Sequence, residues 1–204
     1  MQDQMASKLM DKYKKGAYHT TLTVVRHGST KLNDSGKIRG WADVDLDEKG
    51  QEEAKEAGEE LKKNPPDLLV VSDMKRTQET AEIISKITGS PIKEVSRDFR
   101  PWDLGDLTGQ SVKGTLPIIQ EYAKEKPDEK IPGGESFNSF KKRFLTGLEE
   151  VIKKYKGKNI GIVTHHRGDR IIDGWIKGDM TGDIDMDSFL SKGIDPGAVI
   201  IHKI

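Results

Sequence analysis

The sequence has no cysteine among its 204 residues, which excludes disulfide bonds, thiol nucleophiles and cysteine-ligated metals. No apolar run approaches the roughly 20 residues that cross a bilayer. The N-terminal segment also lacks the apolar stretch typical of a signal peptide. These features predict a soluble, cytoplasmic protein without a membrane partner.

An excess of either charge is missing as well, because 34 lysines and arginines balance 34 aspartates and glutamates. A chain without net charge lacks the general field that attracts nucleic acid, so no nucleic-acid partner is expected. Any anion that the protein binds must therefore be held at a local site.

The length fits one domain with a substantial buried core. We predict an N-terminal tail, frayed or briefly helical, over residues 1–18 and a single domain over residues 19–204. The segment from Phe99 to Glu135 is rich in glycine, proline and charge, and we interpret it as a short insertion that forms a lid or wall beside the site. The pattern of one chain does not define a symmetric interface, so a homodimer is left open.

Short β-branched runs alternate with amphipathic segments along the chain. The predicted strands are 21–25, 67–72, 91–95, 159–164 and 198–201, and the predicted helices are 47–63 and 76–87. Such alternation is typical of an α/β sandwich around a mostly parallel sheet.

Polar residues follow three of the predicted strands. Arg26 and His27 end the first strand, His165 and His166 end the fourth, and Arg76 begins the helix after the second. Ligands of open α/β sheets bind beyond the carboxyl ends of the strands, so we expect these side chains to share one crevice.

Such a group of side chains suits phosphoryl transfer. Guanidinium groups present planar forks of donors that match phosphate oxygens, and backbone N–H groups around Gly28 would add anion-binding dipoles. A neutral imidazole can attack phosphorus while a second, protonated histidine stabilises charge on the oxygens. Each residue alone has an ordinary alternative: His27 as a polar strand end, Arg76 as a helix-face charge, and His165 with His166 as surface or metal-binding residues.

Five segments of the chain carry recognisable patterns in a fixed order: Arg26 to Asn33, Gly40 to Gly50, Ser72 to Ala81, Pro132 to Ser136 and Val163 to His165. They resemble the signatures R-H-G-x-T-x-x-N, G-x-x-D-x-P-L-x-x-x-G, S-D-x-x-R-x-x-x-T-A, P-G-G-E-S and V-S-H of the histidine phosphatase superfamily, the phosphoglycerate mutase-like enzymes. Each pattern alone is modest, but five in the family's order make the resemblance specific.

The resemblance implies a three-layer α/β/α sandwich with a mostly parallel central sheet, and an enzyme that needs neither a metal nor an organic cofactor. It implies that His27 is the phosphorylated nucleophile and that Arg26, Arg76 and His165 are catalytic residues of the phosphate pocket. The residues then expected to bind the substrate around them are Gly28, Thr30 and Asn33.

The chain departs from the family where L-x-E-x-x-x-G-x-x-x-G places a glutamate that acts as general acid and base. Pro101 stands at that position and cannot carry a proton. Asp103 lies two residues on, on the same face of an extended segment, and is the predicted replacement acid. Asp106 is a less favoured candidate, and a turn-capping role is the alternative for Asp103.

A second departure is His166 and Arg167, which stand where the family usually has glycines. These bulky side chains are expected to narrow the pocket or to contact an anionic substrate.

The sequence therefore predicts a metal-independent, acid phosphatase-like hydrolase that cleaves a small phosphate monoester, or a similar phosphoryl compound, through a phosphohistidine on His27. The missing acid favours good leaving groups, such as those of aryl phosphates, acyl phosphates or phosphohistidine. The short insertion and the missing glutamate make mutase-type phosphoryl transfer the less favoured alternative. Pro101 also leaves open a non-catalytic binder of phosphate or phosphoproteins.

Overall fold

The computed structural model describes residues 19–33, 35–178, 180, 184–190 and 193–204. The tail predicted over residues 1–18 lies outside this part of the chain. None of the helices in the described ranges is both long and apolar enough to cross a membrane.

A sheet of five strands forms the centre of the described structure. The strands are β1 (Thr21–Arg26), β2 (Leu68–Ser72), β3 (Ile92–Ser96), β4 (Asn159–Thr164) and β5 (Val199–Lys203), in the spatial order β3-β2-β4-β1-β5. Strands β1 to β4 run parallel, and β5 pairs antiparallel with β1 at the edge. The central strands are buried on both faces, which explains why they read as continuous apolar runs rather than alternating ones.

Helices cover both faces of this sheet. They are α1 (Glu48–Leu61), α2 (Lys75–Thr88), α3 (Val112–Lys124), α4 (Phe137–Lys154), α5 (His166–Lys177) and the short α6 (Met186–Leu190). Apolar residues of α1 and α2 pack with Val71 and Val163 in one cluster. Apolar residues of α3 to α6 pack with Val70 and Ile162 in a second, larger cluster. The result is the predicted three-layer α/β/α sandwich.

Helices α3, α4 and α5 are absent from the elements predicted above. In α4, large apolar residues recur three and four positions apart and are all buried: Phe137, Phe140, Phe144, Leu148 and Val151. That spacing is the signal of an amphipathic helix. The helix α3 lies within the predicted insertion, and two of its residues, Val112 and Ile119, form part of the wall of the cavity described below.

Candidate active site

His27 and His165 stand side by side at the carboxyl ends of β1 and β4. The register pairs Arg26 with Thr164, and the backbone N–H of His27 donates to the carbonyl of Thr164 at 3.0 Å. The two imidazole rings meet edge to face with their centroids 5.2 Å apart. The parallel sheet therefore brings the two predicted histidines into contact.

A single hydrogen bond selects the tautomer of His27. Its Nδ1 lies 2.7 Å from the carbonyl oxygen of Gly28, and because a carbonyl can only accept, Nδ1 carries the proton and Nε2 keeps its lone pair. Burial, followed by the charges of Arg76 and Arg39, holds the pKa of His27 well below its usual value. The ring is therefore neutral, with its lone pair on Nε2.

Gly28 has a structural reason to be glycine. A Cβ atom at this position would lie 2.2 Å from the carbonyl oxygen of Gly50 in α1. The N–H of Gly28 donates to Thr80 Oγ1 at 3.1 Å, and the next N–H, of Ser29, donates to the Glu53 carboxylate at 2.7 Å. These N–H groups are thus engaged within the protein, and Gly28 positions His27 rather than presenting the expected anion-binding dipole.

Arg76 and Arg39 place two guanidinium groups on the cavity. Arg76 lies in the first turn of α2, is 1% exposed and donates to the carbonyl of Ala42 at 2.8 Å. Its buried Nε has no partner among the described residues. Burial and the nearby charge of Arg39 lower the pKa of Arg76 to about 9. The positive charges of Arg76 and Arg39 repel each other, and a bound anion would relieve that repulsion.

Arg39 is absent from the residues predicted from the sequence. Its guanidinium donates to Oδ1 of Asn33, which also accepts from the hydroxyl of Thr30 at 2.9 Å. Asn33 and Thr30 do not line the cavity, so the structure places them behind Arg39, where they hold it. The available signal for Arg39 was its place directly before Gly40 in the second motif.

Of the adjacent histidines His165 and His166, only the first has a hydrogen bond from its ring to another described side chain. Nε2 of His165 is hydrogen-bonded to Ser72 Oγ at 2.9 Å, while its buried Nδ1 has no partner in the described ranges. His166 and Arg167 both line the cavity. Arg26 differs from expectation, because its guanidinium donates to the carbonyl of Ile194 and lies outside the lining.

One cavity of about 250 Å³ opens between these groups. Its basic lining consists of Lys37, Arg39, Arg76 and Arg167, with the three histidines His27, His165 and His166. Its apolar wall consists of Ile38, Trp102, Leu104, Val112 and Ile119. No carboxylate of the described chain lines it. The cavity therefore suits an anion that is attached to an apolar group.

Pro101 lies in the wall of this cavity, and its carbonyl accepts from the Trp41 indole N–H at 2.9 Å. Asp103, the predicted acid, does not reach the cavity. Its carboxylate accepts from the N–H of Gly105 at 3.1 Å, which is the turn-capping alternative. Asp106 is exposed and also lies away from the lining.

The P-G-G-E-S motif fixes the same wall. The carboxylate of Glu135 accepts from the guanidinium of Arg143 at 2.6 Å and from the N–H of Asp103 at 3.0 Å. Arg143, on α4, also donates to backbone carbonyls of the wall segment, among them those of Asp98 and Pro101. The motif thus has a positioning role in this chain. In the described ranges, no group of three or more histidine, aspartate or glutamate side chains is arranged to hold a metal ion.

Comparison with known proteins agrees with this geometry. A model of the histidine phosphatase superfamily (branch 1) matches residues 22–179. The uncharacterized phosphatase PhoE of Bacillus subtilis is 36% identical over 72% of this chain and 72% of its own. A metal-independent phosphoserine phosphatase of Arabidopsis thaliana is 33% identical over 72% of this chain and 64% of its own. The structure of Bacillus stearothermophilus YhfR superposes with a TM-score of 0.74 at 28% identity, covering 89% of this chain and 90% of that one. Proteins named as phosphoglycerate mutases are similar as well.

Proposed function

The chain belongs to branch 1 of the histidine phosphatase superfamily, and from that premise we propose that it is a metal-independent phosphatase that forms a phosphohistidine on His27. The observation that carries the proposal is the state of His27. It is a neutral imidazole whose Nδ1 is bonded to Gly28, and it faces a cavity shared with Arg76 and His165.

In the first step, Nε2 of His27 forms a bond to the phosphorus of the ester, and the P–O bond to the leaving group breaks with its electrons on oxygen. Arg39 and Arg76 offer donors to the non-bridging oxygens, where negative charge is held throughout the transfer. Water then attacks the phosphorus, the N–P bond breaks, and inorganic phosphate leaves with the imidazole neutral again.

The substrate that fits is a phosphate group on a moiety with apolar surface. The basic groups lie at the strand ends, and Trp102, Leu104 and Val112 supply an apolar wall to the same cavity. Pro101 occupies the position of the family's acid, and the described lining has no carboxylate. A carboxylate acid is therefore missing from the described lining, and aryl and acyl phosphates, whose leaving oxygens need little protonation, are the substrates that depend least on another proton donor.

A non-catalytic phosphate binder is the second candidate, and Pro101 is the observation that favours it. The experiment that separates the two is hydrolysis of p-nitrophenyl phosphate in the presence of EDTA by the parent, by His27→Ala and by His202→Gln. His202 lies on β5 outside the cavity and controls for loss of a histidine. Turnover by the parent and His202→Gln, with none by His27→Ala, supports the enzyme. Phosphate binding without turnover by the parent would support the binder.

A further inference from the structure

The reaction proposed for this cavity requires a group that donates a proton to the leaving oxygen of the substrate. A leaving oxygen less stable than a phenolate needs a proton as the P–O bond breaks, and general acids give about 10²–10⁴-fold for such groups. The described lining offers only histidines and Lys37 as groups that exchange protons, because it has no carboxylate.

Three of these groups are unsuited to the task. His27 is the nucleophile, and His165 is engaged through Nε2 with Ser72. Lys37 is exposed to solvent, and its backbone forms an isolated bridge with that of Ser111. His166 is the group left with no other task.

The surroundings of His166 support a role in the cavity. It is the first residue of α5 and follows His165 directly, so the chain delivers both to the same strand end. Its ring packs against Gly193, where a Cβ atom would lie 2.1 Å from ring Cε1. No hydrogen bond ties its ring nitrogens to any described residue, although the ring lines the cavity. A glycine at 193 thus makes room for the ring, which packing holds in place within the described part of the chain.

We propose that His166 is the proton donor to the leaving oxygen, a role that rests on the phosphohistidine mechanism proposed above. The bound phosphate monoester, as its monoanion, gives its proton to neutral His166. The imidazolium then transfers that proton to the leaving oxygen as the P–O bond breaks and the bond to His27 forms. In the second step neutral His166 accepts a proton from the attacking water and returns it to the product phosphate, which leaves as its monoanion with His166 neutral again.

The charges around His166 fit this order of events. Burial, followed by Arg167, Arg26, Arg170 and Arg39, lowers the pKa of His166 to about 3. The ring is therefore neutral in the empty site and acquires a proton only when a phosphate anion offsets the arginines. The proton is consequently brought by the substrate.

The test is a leaving-group series on His166→Gln, His166→Asn and the control His202→Gln. We expect the His166 variants to lose about 100-fold or more in kcat on an alkyl phosphate and less than about 10-fold on p-nitrophenyl phosphate. The affinity for inorganic phosphate, measured by titration calorimetry, should change little, which shows that the site is folded. An equal loss on both substrates, or no loss, would overturn the role.

A double-mutant cycle with Pro101→Glu tests the proton transfer separately, because that change places a carboxylate, a second proton donor, in the wall of the same cavity. Loss of His166 should then cost less on the alkyl phosphate than it does in the parent. The same cost in both backgrounds would contradict proton transfer by His166. Failure of the mechanism itself is distinguishable, since His27→Ala would then keep its activity whatever the His166 variants do.

Discussion

The Nδ1 atom of His27 lies 2.7 Å from the carbonyl oxygen of Gly28, and this contact leaves the lone pair of the ring on Nε2. The turn that makes the contact possible depends on a second close approach, between Gly28 and Gly50. The chemistry of the site is therefore tied to backbone packing between the strand-end turn and α1.

Replacing Gly28 by alanine should destabilise the protein and abolish activity. The new Cβ would lie 2.2 Å from the Gly50 carbonyl oxygen. Because the atoms on both sides of this contact belong to the backbone, neither side can move away easily. We expect a loss of about 1–3 kcal/mol in the free energy of unfolding, measured with urea. The control is Gly114→Ala in α3, where no atom lies within 4 Å of the new Cβ and a gain of about 0.5–1 kcal/mol is expected. Equal stability of the two variants would argue against the packing described.

Stability should fall as the pH is lowered below about 6.5, the ordinary histidine value. Burial holds the pKa values of His27, His165 and His166 below that value. The unfolded chain then binds protons that the folded chain does not, so each histidine contributes a loss of about 1.4 kcal/mol per pH unit down to its folded pKa. Urea unfolding between about pH 7 and pH 5 measures this slope. His166→Gln should reduce this slope by the contribution of one histidine. An unchanged slope would contradict the account.

Arg39→Met should weaken phosphate binding without unfolding the protein. Charged hydrogen bonds contribute about 1.5–3 kcal/mol each, so the Kd for inorganic phosphate should rise about 10- to 100-fold. Loss of the partly buried positive charge of Arg39 also relieves its repulsion with Arg76 and Arg26. The Kd of Arg39→Lys should lie between those of the parent and Arg39→Met, because lysine keeps the positive charge but loses the paired donors of the guanidinium group. The exposed Lys86→Met in α2 is the charge control, and calorimetry at fixed salt is the measurement. Parent-like binding by Arg39→Met would exclude it from the phosphate site.

Asp103→Asn should leave activity on aryl and alkyl phosphates within about 3-fold of the parent, far less than the 10²–10⁴-fold expected for a general acid. The asparagine keeps the oxygen that accepts from the Gly105 N–H. Asp103→Ala removes that acceptor and should cost about 0.5–1.5 kcal/mol of stability. A loss in Asp103→Asn confined to alkyl phosphates would instead identify the carboxylate as the proton donor.

Much of the architecture follows from local patterns in the sequence. The β-branched runs predicted the five strands, and the rule that parallel strands share their carboxyl ends predicted that His27 and His165 would meet. The helix α4 has an equally clear apolar spacing, although it was not among the predicted elements. Local patterns thus indicated the strands and the edge of the sheet at which the two histidines lie.

The remainder depends on contacts distant in the chain. The N–H of Gly28 is engaged by Thr80, which no local pattern near Gly28 indicates. Arg39 resembles a solvated loop charge until the fold places it, partly buried, beside Arg76. The direction of the Asp103 side chain was decided by the turn at Gly105, whereas two-residue periodicity assumes an extended segment.

The central claim is that the phosphoryl group passes through His27. The direct measurement is rapid acid-free quenching of the parent and His27→Ala with p-nitrophenyl phosphate, followed by mass spectrometry of the peptides. The account predicts one added phosphoryl group on His27, labile in acid, formed as fast as p-nitrophenol is released in the first turnover. Turnover by the parent with no such adduct, or turnover by His27→Ala, would contradict it.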